Sequence, residues 1–416
     1  MPAETVFAEA VSTETRDALI LGGGLVGMTL AIGLARAGAS VSVVDRDDPA
    51  AQTAEGFDGR ASAISTASWN LFGHLGLAPL LEPKGSPIAA IAVNDALRPG
   101  KIEFRPEAGE GSLGRMFANR ELRLALFEAA TKQPNIAWHS SSTVVARDRG
   151  AHGASATLGD GTVIKARLLV GAEGRQSPTR EDAGIAVARW DYRHRAIIAG
   201  LAHAKPHGGV AWEIFYPAGP FALLPMLNDA TGRHRSALVW TVAEDDAAGV
   251  LGMSETAFLG EVREKMGGVL GDIELAAPRS SYPLGFHHTA RIVAVRLALV
   301  GDAAHGIHPI AGQGLNLGLR DAATLIECIT DGMRLGLDSG DAQILARYER
   351  WRASDALMVA LATDGLTRLF GVPGRAASLV RRIGMSGVQR MAPLKRWFMD
   401  EARGVSGTLP KLLEPV

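Results

Sequence analysis

The chain has 416 residues, 47% of them hydrophobic and 21% charged, a balance typical of a folded globular protein and not of a disordered or disulfide-stapled one. Its 43 basic and 44 acidic residues leave a formal net charge of -1, which excludes the overall positive field that attracts nucleic acid. The single cysteine, Cys328, lies in an apolar stretch, so the sequence builds neither a disulfide framework nor a cysteine metal site.

The first fifteen residues carry three glutamates and contain no long apolar run. We expect residues 1–15 to form a loose tail and to be neither a secretory signal nor a mitochondrial presequence. No stretch of the chain reaches the roughly 18–20 apolar residues that a transmembrane helix needs. The sequence therefore predicts a cytoplasmic protein whose membrane contact, if any, is peripheral.

A strand, turn and helix open the chain. Residues 17–21 are apolar, residues 22–27 read Gly-Gly-Gly-Leu-Val-Gly, and residues 28–37 have helical composition. A second strand at 40–44 ends at Asp45, where a carboxylate can accept hydrogen bonds from a ribose. The glycines let the backbone approach a pyrophosphate at the helix start, although this motif alone does not separate FAD from NAD. We predict dinucleotide contacts from Gly22, Gly24, Leu25, Val26, Gly27, Asp45 and Arg46.

Two more strands end in glycine clusters further along the chain. A hairpin around Gly159-Asp160-Gly161 leads into a strand that ends at Val170, before Gly171-Ala172-Glu173-Gly174. A buried strand that ends at Val300 precedes Gly301-Asp302, and a long helix is predicted after it. Between the two clusters, the short β-rich pieces of residues 191–281 predict a mostly antiparallel insertion.

These patterns predict an α/β fold with a discontinuous Rossmann-like nucleotide-binding domain, an inserted antiparallel β-sheet domain and C-terminal helices. The nucleotide-binding domain is predicted at 16–82, 110–185 and 282–365, the inserted domain at 83–109 and 186–281, and the C-terminal helical segment at 366–416.

The three glycine clusters, at 22–27, 171–180 and 301–309, together resemble those of the FAD-dependent aromatic monooxygenases of the para-hydroxybenzoate hydroxylase fold. In its shorter motifs the sequence is most similar to the ubiquinone-biosynthesis flavin hydroxylases, and this similarity extends through nearly the whole chain. The stretches that carry this likeness lie at 59–65, 119–123, 219–225, 238–241, 282–284, 305–321 and 347–350.

The resemblance implies that the Rossmann-like domain is an FAD-binding domain and that the inserted antiparallel β-sheet is a substrate domain. It further implies that Arg60 and Arg120 contact FAD and that Asp302 binds the ribityl chain. It also implies that Gly301 and Glu173 lie beside the cofactor. The family's middle motif normally reads Gly-Ala-Asp-Gly, so Glu173 departs from it by one methylene. This departure bears on the electron donor, which is NAD(P)H or a reduced protein partner.

The start of the long helix supports a flavin on physical grounds. Glycines there leave backbone amides and the positive end of the helix dipole free to face an anion, and reduced flavin carries negative charge near its pyrimidine edge. A side-chain amide adds a further donor. We predict contacts from Pro309, Gly312, Gly314, Leu315 and Asn316.

By this resemblance the protein hydroxylates the ring of a polyprenylated phenol in ubiquinone biosynthesis, with oxygen delivered through a flavin hydroperoxide. Two alternatives stay open. One is another FAD-dependent oxidoreductase that acts on a lipophilic substrate without oxygen insertion. The other is a non-catalytic FAD-binding subunit of a biosynthetic complex.

The sequence offers no convincing catalytic acid or base for the substrate. His305 and His308 lack a third ligand at metal spacing, so no metal is expected. One group of apolar residues either lines a substrate site or forms the sheet core: Trp212, Phe215, Tyr216, Phe221, Leu223, Leu224, Pro225 and Met226.

The last fifty residues carry many arginines and lysines among apolar side chains. This composition is equally typical of a solvated helical cap and of a surface that binds the inner face of a membrane. Other ubiquinone-biosynthesis proteins are candidate partners for this segment.

Overall fold

The computed structural model describes residues 14–54, 56–97, 101–107, 109–306, 313–353 and 391–416. Its first sheet has eight strands. They are β1 (Arg16–Leu21), β2 (Val41–Val44), β8 (Ile136–His139), β9 (Val144–Gly150), β10 (Gly153–Leu158), β11 (Val163–Gly171), β17 (Val293–Ala294) and β18 (Leu297–Leu299).

Five strands of this sheet run parallel in the order β8, β2, β1, β11, β18. Strands β1, β2 and β18 are almost wholly buried, as expected for parallel strands that are covered on both faces. The predicted hairpin around Asp160 joins β10 to β11, with Thr157 opposite Val163. The parallel nucleotide-binding sheet predicted from the sequence is therefore present.

The second sheet also has eight strands. They are β5 (Ala90–Asp95), β6 (Lys101–Phe104), β12 (Val187–His203), β13 (Val210–Tyr216), β14 (Gly219–Met226), β15 (His234–Ala243), β16 (Ile273–Thr289) and β19 (His305–Gly306). All neighbours are antiparallel except β13 and β5. Strand β16 continues in this sheet to Thr289, so the predicted domain boundary at 281 falls inside a strand.

A small third sheet is formed by strands that flank β5 and β6 of the second sheet along the chain. Its strands are β3 (Ala61–Ser65), β4 (Ser86–Pro87) and β7 (Gly114–Ala118), with β7 in the centre.

The helices are α1 (Leu25–Arg36), α2 (Pro49–Gln52), α3 (Thr66–His74), α4 (Ala78–Leu81), α5 (Asn119–Thr131), α6 (Pro178–Asp182), α7 (Glu244–Gly252), α8 (Glu255–Met266), α9 (Gln313–Arg334) and α10 (Ala392–Arg403). Residues 342–353 are also helical. Of the predicted C-terminal segment, residues 366–390 lie outside the described part of the chain. None of the described helices combines the length and the apolar character that spanning a bilayer would require.

Two local details of the helices bear on the sequence interpretation. The N-cap of α5 is Ala118, and the side-chain oxygen of the first helical residue, Asn119, accepts a hydrogen bond from Ser62 Oγ at 2.7 Å. Cys328 lies buried in α9, where burial raises the pKa of its thiol to about 12. Its role as a core residue follows from this position.

The two faces of the second sheet pack against different partners. One face is covered by α7 and α8, and the core there contains Ile214, Phe221, Leu223, Phe258 and Val262. The opposite face packs against the third sheet and α10, with a core that contains Ala211, Met226, Ala237, Met116 and Met399. Side chains that alternate along β13 therefore enter two separate environments.

A buried carboxylate joins the loop after β18 to the long helix. Asp321 of α9 accepts hydrogen bonds from the Gly301 backbone N–H at 2.9 Å and from Arg352 Nε at 2.6 Å. His305 Nε2 lies 2.7 Å from the same carboxylate. Although burial opposes its charge, the nearby His305 and Arg352 lower the pKa of Asp321. The group therefore remains ionised inside the core.

Removal of this carboxylate should destabilise the fold strongly. We expect Asp321→Ala to lower the free energy of unfolding by about 3–5 kcal/mol, because the change removes the buried charge that Arg352 and His305 contact inside the core. As a matched control, Asp331→Ala breaks the partly exposed pair with Arg347 at 2.9 Å, which should cost about 0–1 kcal/mol. Urea unfolding measures both, and equal small losses would contradict the role given to Asp321.

Candidate functional site

The loop after β1 is shaped by two glycines that the protein itself requires. Gly22 has φ +105, and a Cβ there would lie 2.4 Å from the Ala172 carbonyl oxygen. A Cβ on Gly27 would lie 2.0 Å from the Gly22 carbonyl oxygen. Both are closer than any real contact, so these glycines let α1 and the loop after β11 approach β1.

Gly24 is different, because nothing in the protein demands a glycine there. It is the N-cap of α1, with φ -67 and no side-chain cap hydrogen bond. A Cβ on Gly24 would meet no atom within 4 Å. The start of a 12-residue helix thus faces open space, which suits an anionic group held by free backbone amides.

This open space is a cleft beside the helix start. Asp45 lines it and accepts hydrogen bonds from the backbone N–H of Gly23 at 2.5 Å and of Asp47 at 2.8 Å. Trp138 forms another wall and packs against Gly23. Arg46, by contrast, is 83% exposed and lies 3.7 Å from Asp47, outside the cleft lining.

Arg123 was missed by sequence reasoning. It lies on α5 and lines the same cleft. Its Nε atom is buried and has no hydrogen-bond partner among the described residues. Burial lowers the pKa of its guanidinium, and nearby Arg60 lowers it further. The i,i+3 spacing from Arg120 was the signal that could have identified it, since such residues share a helix face.

The two predicted arginines lie apart from this first cleft. Arg60 is 54% exposed and pairs with Asp58 at 2.7 Å. Arg120 donates to the carbonyls of Thr53 and Ala54 and pairs with Glu121 at 3.0 Å. Arg120 lines a second cleft, which lies between α5 and the second sheet. The lining comprises Gly56, Phe57, Lys84, Ala118, Arg120, Glu121, Met226, Leu227, Asn228 and Arg235.

The departure at Glu173 has a structural explanation. Its carboxylate accepts hydrogen bonds from Arg147 at 3.0 Å, Ser177 Oγ at 2.6 Å and the Thr179 backbone N–H at 3.1 Å. Only 14% of the Glu173 side chain is exposed. The longer side chain therefore fixes the turn into α6 and meets Arg147 of β9.

The loop after β18 carries Gly301 and Asp302. Gly301 has φ +59 and packs beside Val26 of α1. The Asp302 carboxylate reaches solvent at the loop surface, yet desolvation by surrounding protein raises its pKa, and Arg175 and His305 oppose that effect. His287 Nε2 lies 2.8 Å from the Asp302 carbonyl oxygen, and burial lowers the pKa of His287 to about 4. This imidazole is neutral at physiological pH and donates to the loop.

The predicted contacts at the start of α9 are only partly described. Pro309 and Gly312 lie outside the described residues. Gly314 has open space where a Cβ would stand, and Leu315 beside it is half-buried. The side-chain amide of Asn316 accepts from the Ser65 N–H and donates to the Ala63 carbonyl, both at 2.9 Å. It thereby holds the helix start against β3.

Residues 15–360 match a protein family described as FAD binding domain. The chain is 43% identical to Ubiquinone hydroxylase UbiL of Rhodospirillum rubrum, over 97% of this chain and 93% of that protein. It belongs to the ubiquinone-hydroxylase family of FAD-dependent monooxygenases. A second member, 3-demethoxyubiquinol 3-hydroxylase of Escherichia coli, is 30% identical over 95% of this chain and 100% of its own length. The resemblance drawn from the motifs is thus confirmed.

Solved structures of flavin monooxygenases share the fold. p-Nitrophenol 4-monooxygenase PnpA from Pseudomonas putida superposes with a TM-score of 0.77 at 17% identity, covering 95% of this chain and 99% of that one. PqsL of Pseudomonas aeruginosa, solved with 2-aminobenzoylacetate, gives 0.75 at 22% identity, covering 91% and 100%. The predicted fold class is therefore confirmed.

The described residues fit FAD, the cofactor of this family. The helix start at Gly24 is open, Asp45 stands at the end of β2, and Arg123 has a buried nitrogen without a partner. These groups suit a pyrophosphate and a ribose. Within the described part of the chain no cluster of three or more histidine, cysteine, aspartate or glutamate side chains is arranged to hold a metal.

Gly24→Ala tests whether the open space belongs to the cofactor. We expect at least a roughly tenfold loss of FAD affinity, about 1.4 kcal/mol, with no loss of apoprotein stability, because the added methyl meets no protein atom. Gly260→Ala is the control, since Gly260 lies exposed on α8 with open space around it. It should leave FAD binding unchanged. Titration of apoprotein by flavin fluorescence measures both, and wild-type affinity in Gly24→Ala would refute the assignment.

Proposed function

We propose that this protein hydroxylates the aromatic ring of a polyprenylated phenol in ubiquinone biosynthesis, using FAD and molecular oxygen. The relationship to ubiquinone hydroxylases over almost the whole chain carries the proposal. The open helix start at Gly24 and the cleft beside it support the cofactor. When bound, FAD supplies the reduction of oxygen and the transfer of one oxygen atom to the ring.

The protein's own residues bind and orient the cofactor. The amides at the start of α1, the Asp45 carboxylate and Arg123 hold the dinucleotide. Gly301, Asp302, Gly314 and Leu315 line the loop and helix start that face the flavin, with Pro309 and Gly312 proposed beside them. Arg60, Arg120 and Glu173 are proposed cofactor neighbours from the family motif. The carboxylate of Glu173 is itself held by Arg147 and by the start of α6.

The phenol enters through the second cleft. This cleft lies between α5 and the β14–β15 hairpin, so both parts of the protein contribute to it. Phe57, Met226 and Leu227 give it an apolar wall that suits a prenyl tail. Of the residues that were candidates for the substrate site, Trp212, Tyr216, Phe221 and Leu223 pack instead with α7 and α8.

Electrons come from NAD(P)H or from a reduced protein partner. Aerobic turnover with a prenylated phenol separates the proposal from its alternatives. We expect oxygen consumption that depends on an added donor, and a hydroxylated product whose new oxygen derives from isotopically labelled O2. Donor-driven turnover with peroxide as the only oxygen product would indicate an oxidoreductase without insertion. Bound FAD with no turnover for any donor would indicate a non-catalytic subunit.

We also propose peripheral contact with the inner membrane face through α10, close to other proteins of the same pathway. Trp397 is 42% exposed on this helix, and the basic side chains Lys395 and Arg396 precede it. An exposed indole next to cations suits the interface of an anionic bilayer.

Trp397→Ser should reduce the fraction of protein that floats with anionic liposomes, because it removes the apolar anchor and keeps the charges. Trp190→Ser is the control, since Trp190 is 39% exposed on the second sheet. Flotation of the full-length chain measures both. Equal binding of the two variants, or wild-type protein that stays entirely with the unbound fraction, would count against the membrane contact.

A further inference from the structure

One carboxylate lies buried in the second sheet without a partner. Glu213 stands in the middle of β13 and is 9% exposed. Its neighbours across the sheet are Ala222 on β14 and Val93 on β5. No hydrogen bond or ion pair reaches its side chain from the residues that the structure describes. Glu213 thus differs from the buried carboxylate Asp321, which is held by Arg352, His305 and the Gly301 amide.

The side chain of Glu213 belongs to the face that looks toward the FAD-binding part. Ile214 and Tyr216 on the same strand pack with α7 and α8, whereas Ala211 packs with the third sheet. Because side chains alternate along a strand, Glu213 shares the face of Ala211. The apolar wall of the second cleft lies on this face too, since Met226 packs in the same cluster as Ala211.

The side chains beside Glu213 on this face are mostly small. Its lateral neighbour is Ala222, and the next row along the face contains Ala211, Leu224, Ala237 and Gly200. Phe57 lies over Gly200, where a Cβ would be 2.7 Å from its ring. From Ala222 to Met226 at the cleft is four residues of β14, about 13 Å at the rise of a strand. This is the span that a prenylated phenol must cover for its ring to meet the carboxylate while its tail lies in the cleft.

No interaction in the described part of the fold stabilises the charged form of Glu213. A buried carboxyl without partners disfavours its charged form, and burial alone raises the pKa of Glu213 to about 7. Strand β13 lies between β14, which has no titratable side chain, and β5, whose only one is Asp95 opposite Phe215. The third sheet and α10, which pack on this face, carry Arg115, Lys395, Arg396, Asp400, Glu401 and Arg403, and none of them contributes to the raised pKa of Glu213. An apolar residue would pack here at lower cost, so the position is better explained by chemistry than by stability.

We propose that Glu213 is the general base that takes the hydroxyl proton of the phenol substrate. The phenol O–H bond breaks, the proton moves to a Glu213 carboxylate oxygen, and the electron pair stays on the phenol oxygen. The ring becomes richer in electrons at its ortho and para carbons, where oxygen is inserted. No oxidant or reductant beyond the proposed hydroxylation is needed, so this inference rests on the proposed function.

Glu213→Gln tests the role, with Glu213→Asp as the conservative variant. We expect Glu213→Gln to keep FAD binding and to lower the rate of hydroxylation by roughly 10²–10⁴-fold, the usual contribution of a general base. The wild-type rate should rise as pH increases through about 7, where the carboxylate ionises. That rise should be absent in Glu213→Gln and partly restored in Glu213→Asp. Phenols that carry fluorine, and so ionise more easily, should shrink the defect.

Stability gives an independent readout. The pKa of this acid is higher in the folded protein than its ordinary value of 4.5. Its ionisation therefore destabilises the fold progressively as pH rises from 4.5 to about 7. Glu213→Gln lacks this loss, so above that window it should melt at or above the wild-type temperature while its activity falls. A merely structural glutamate would lose stability and activity together.

Two outcomes would overturn the inference. One is a Glu213→Gln variant that hydroxylates at the wild-type rate with an unchanged pH profile. The other is an equal defect for phenols of all acidities. Failure of the proposed function itself is recognised separately, because the wild-type protein with FAD would then consume oxygen without forming any hydroxylated phenol.

Discussion

The arrangement of the cofactor region depends on how closely three loops approach one another at the carboxyl ends of β1, β11 and β18. A Cβ on Gly22 would overlap the Ala172 carbonyl, and one on Gly318 would lie 3.0 Å from Gly301 Cα and 2.8 Å from Val26. No side chain fits between these backbones. The three glycine clusters are far apart in sequence, but all three are needed for the same close approach of backbones. Together they bring α1 and α9 to one edge of the parallel sheet.

The ion cluster around Asp321 makes this approach rigid. Its carboxylate holds the Gly301 amide, and Asn316 on the same helix holds β3. The long helix is thus attached to the first sheet at one point and to the third sheet at another. Since the third sheet packs on the second, the loops at the carboxyl ends of the first sheet and the face of the second sheet are joined through packed backbone.

The sequence was sufficient for the parts of the structure that local rules govern. The βαβ unit at 16–44, the hairpin at Asp160 and the strands of the insertion follow from glycine placement and from the period of apolar residues. Prediction was weaker where a residue's direction decides its role. Arg46 follows Asp45 along the chain but turns outward, whereas Arg123 on α5, distant in sequence, lines the cleft.

For Glu213, too, the sequence does not determine the direction in which the side chain points. Alternation along β13 separates its two faces, but only tertiary packing determines which face meets α7 and α8. A lone glutamate between Trp212 and Ile214 therefore looks like a solvent-facing residue of an ordinary amphipathic strand. Its burial depends on the third sheet, which is built from residues about a hundred or more positions earlier in the chain.

The position of Cys328 has a practical consequence. It is the only cysteine of the chain, it is 1% exposed, and burial keeps it in the thiol form, which is a poor nucleophile. Peroxide that escapes from an oxygen-using site has no accessible thiolate of this protein to oxidise. Because Cys328 is inert, it should not react with thiol-directed labels. One cysteine introduced on α10 or at the mouth of the second cleft would therefore carry a spin label or fluorophore at a single defined position. The native cysteine would not have to be removed first.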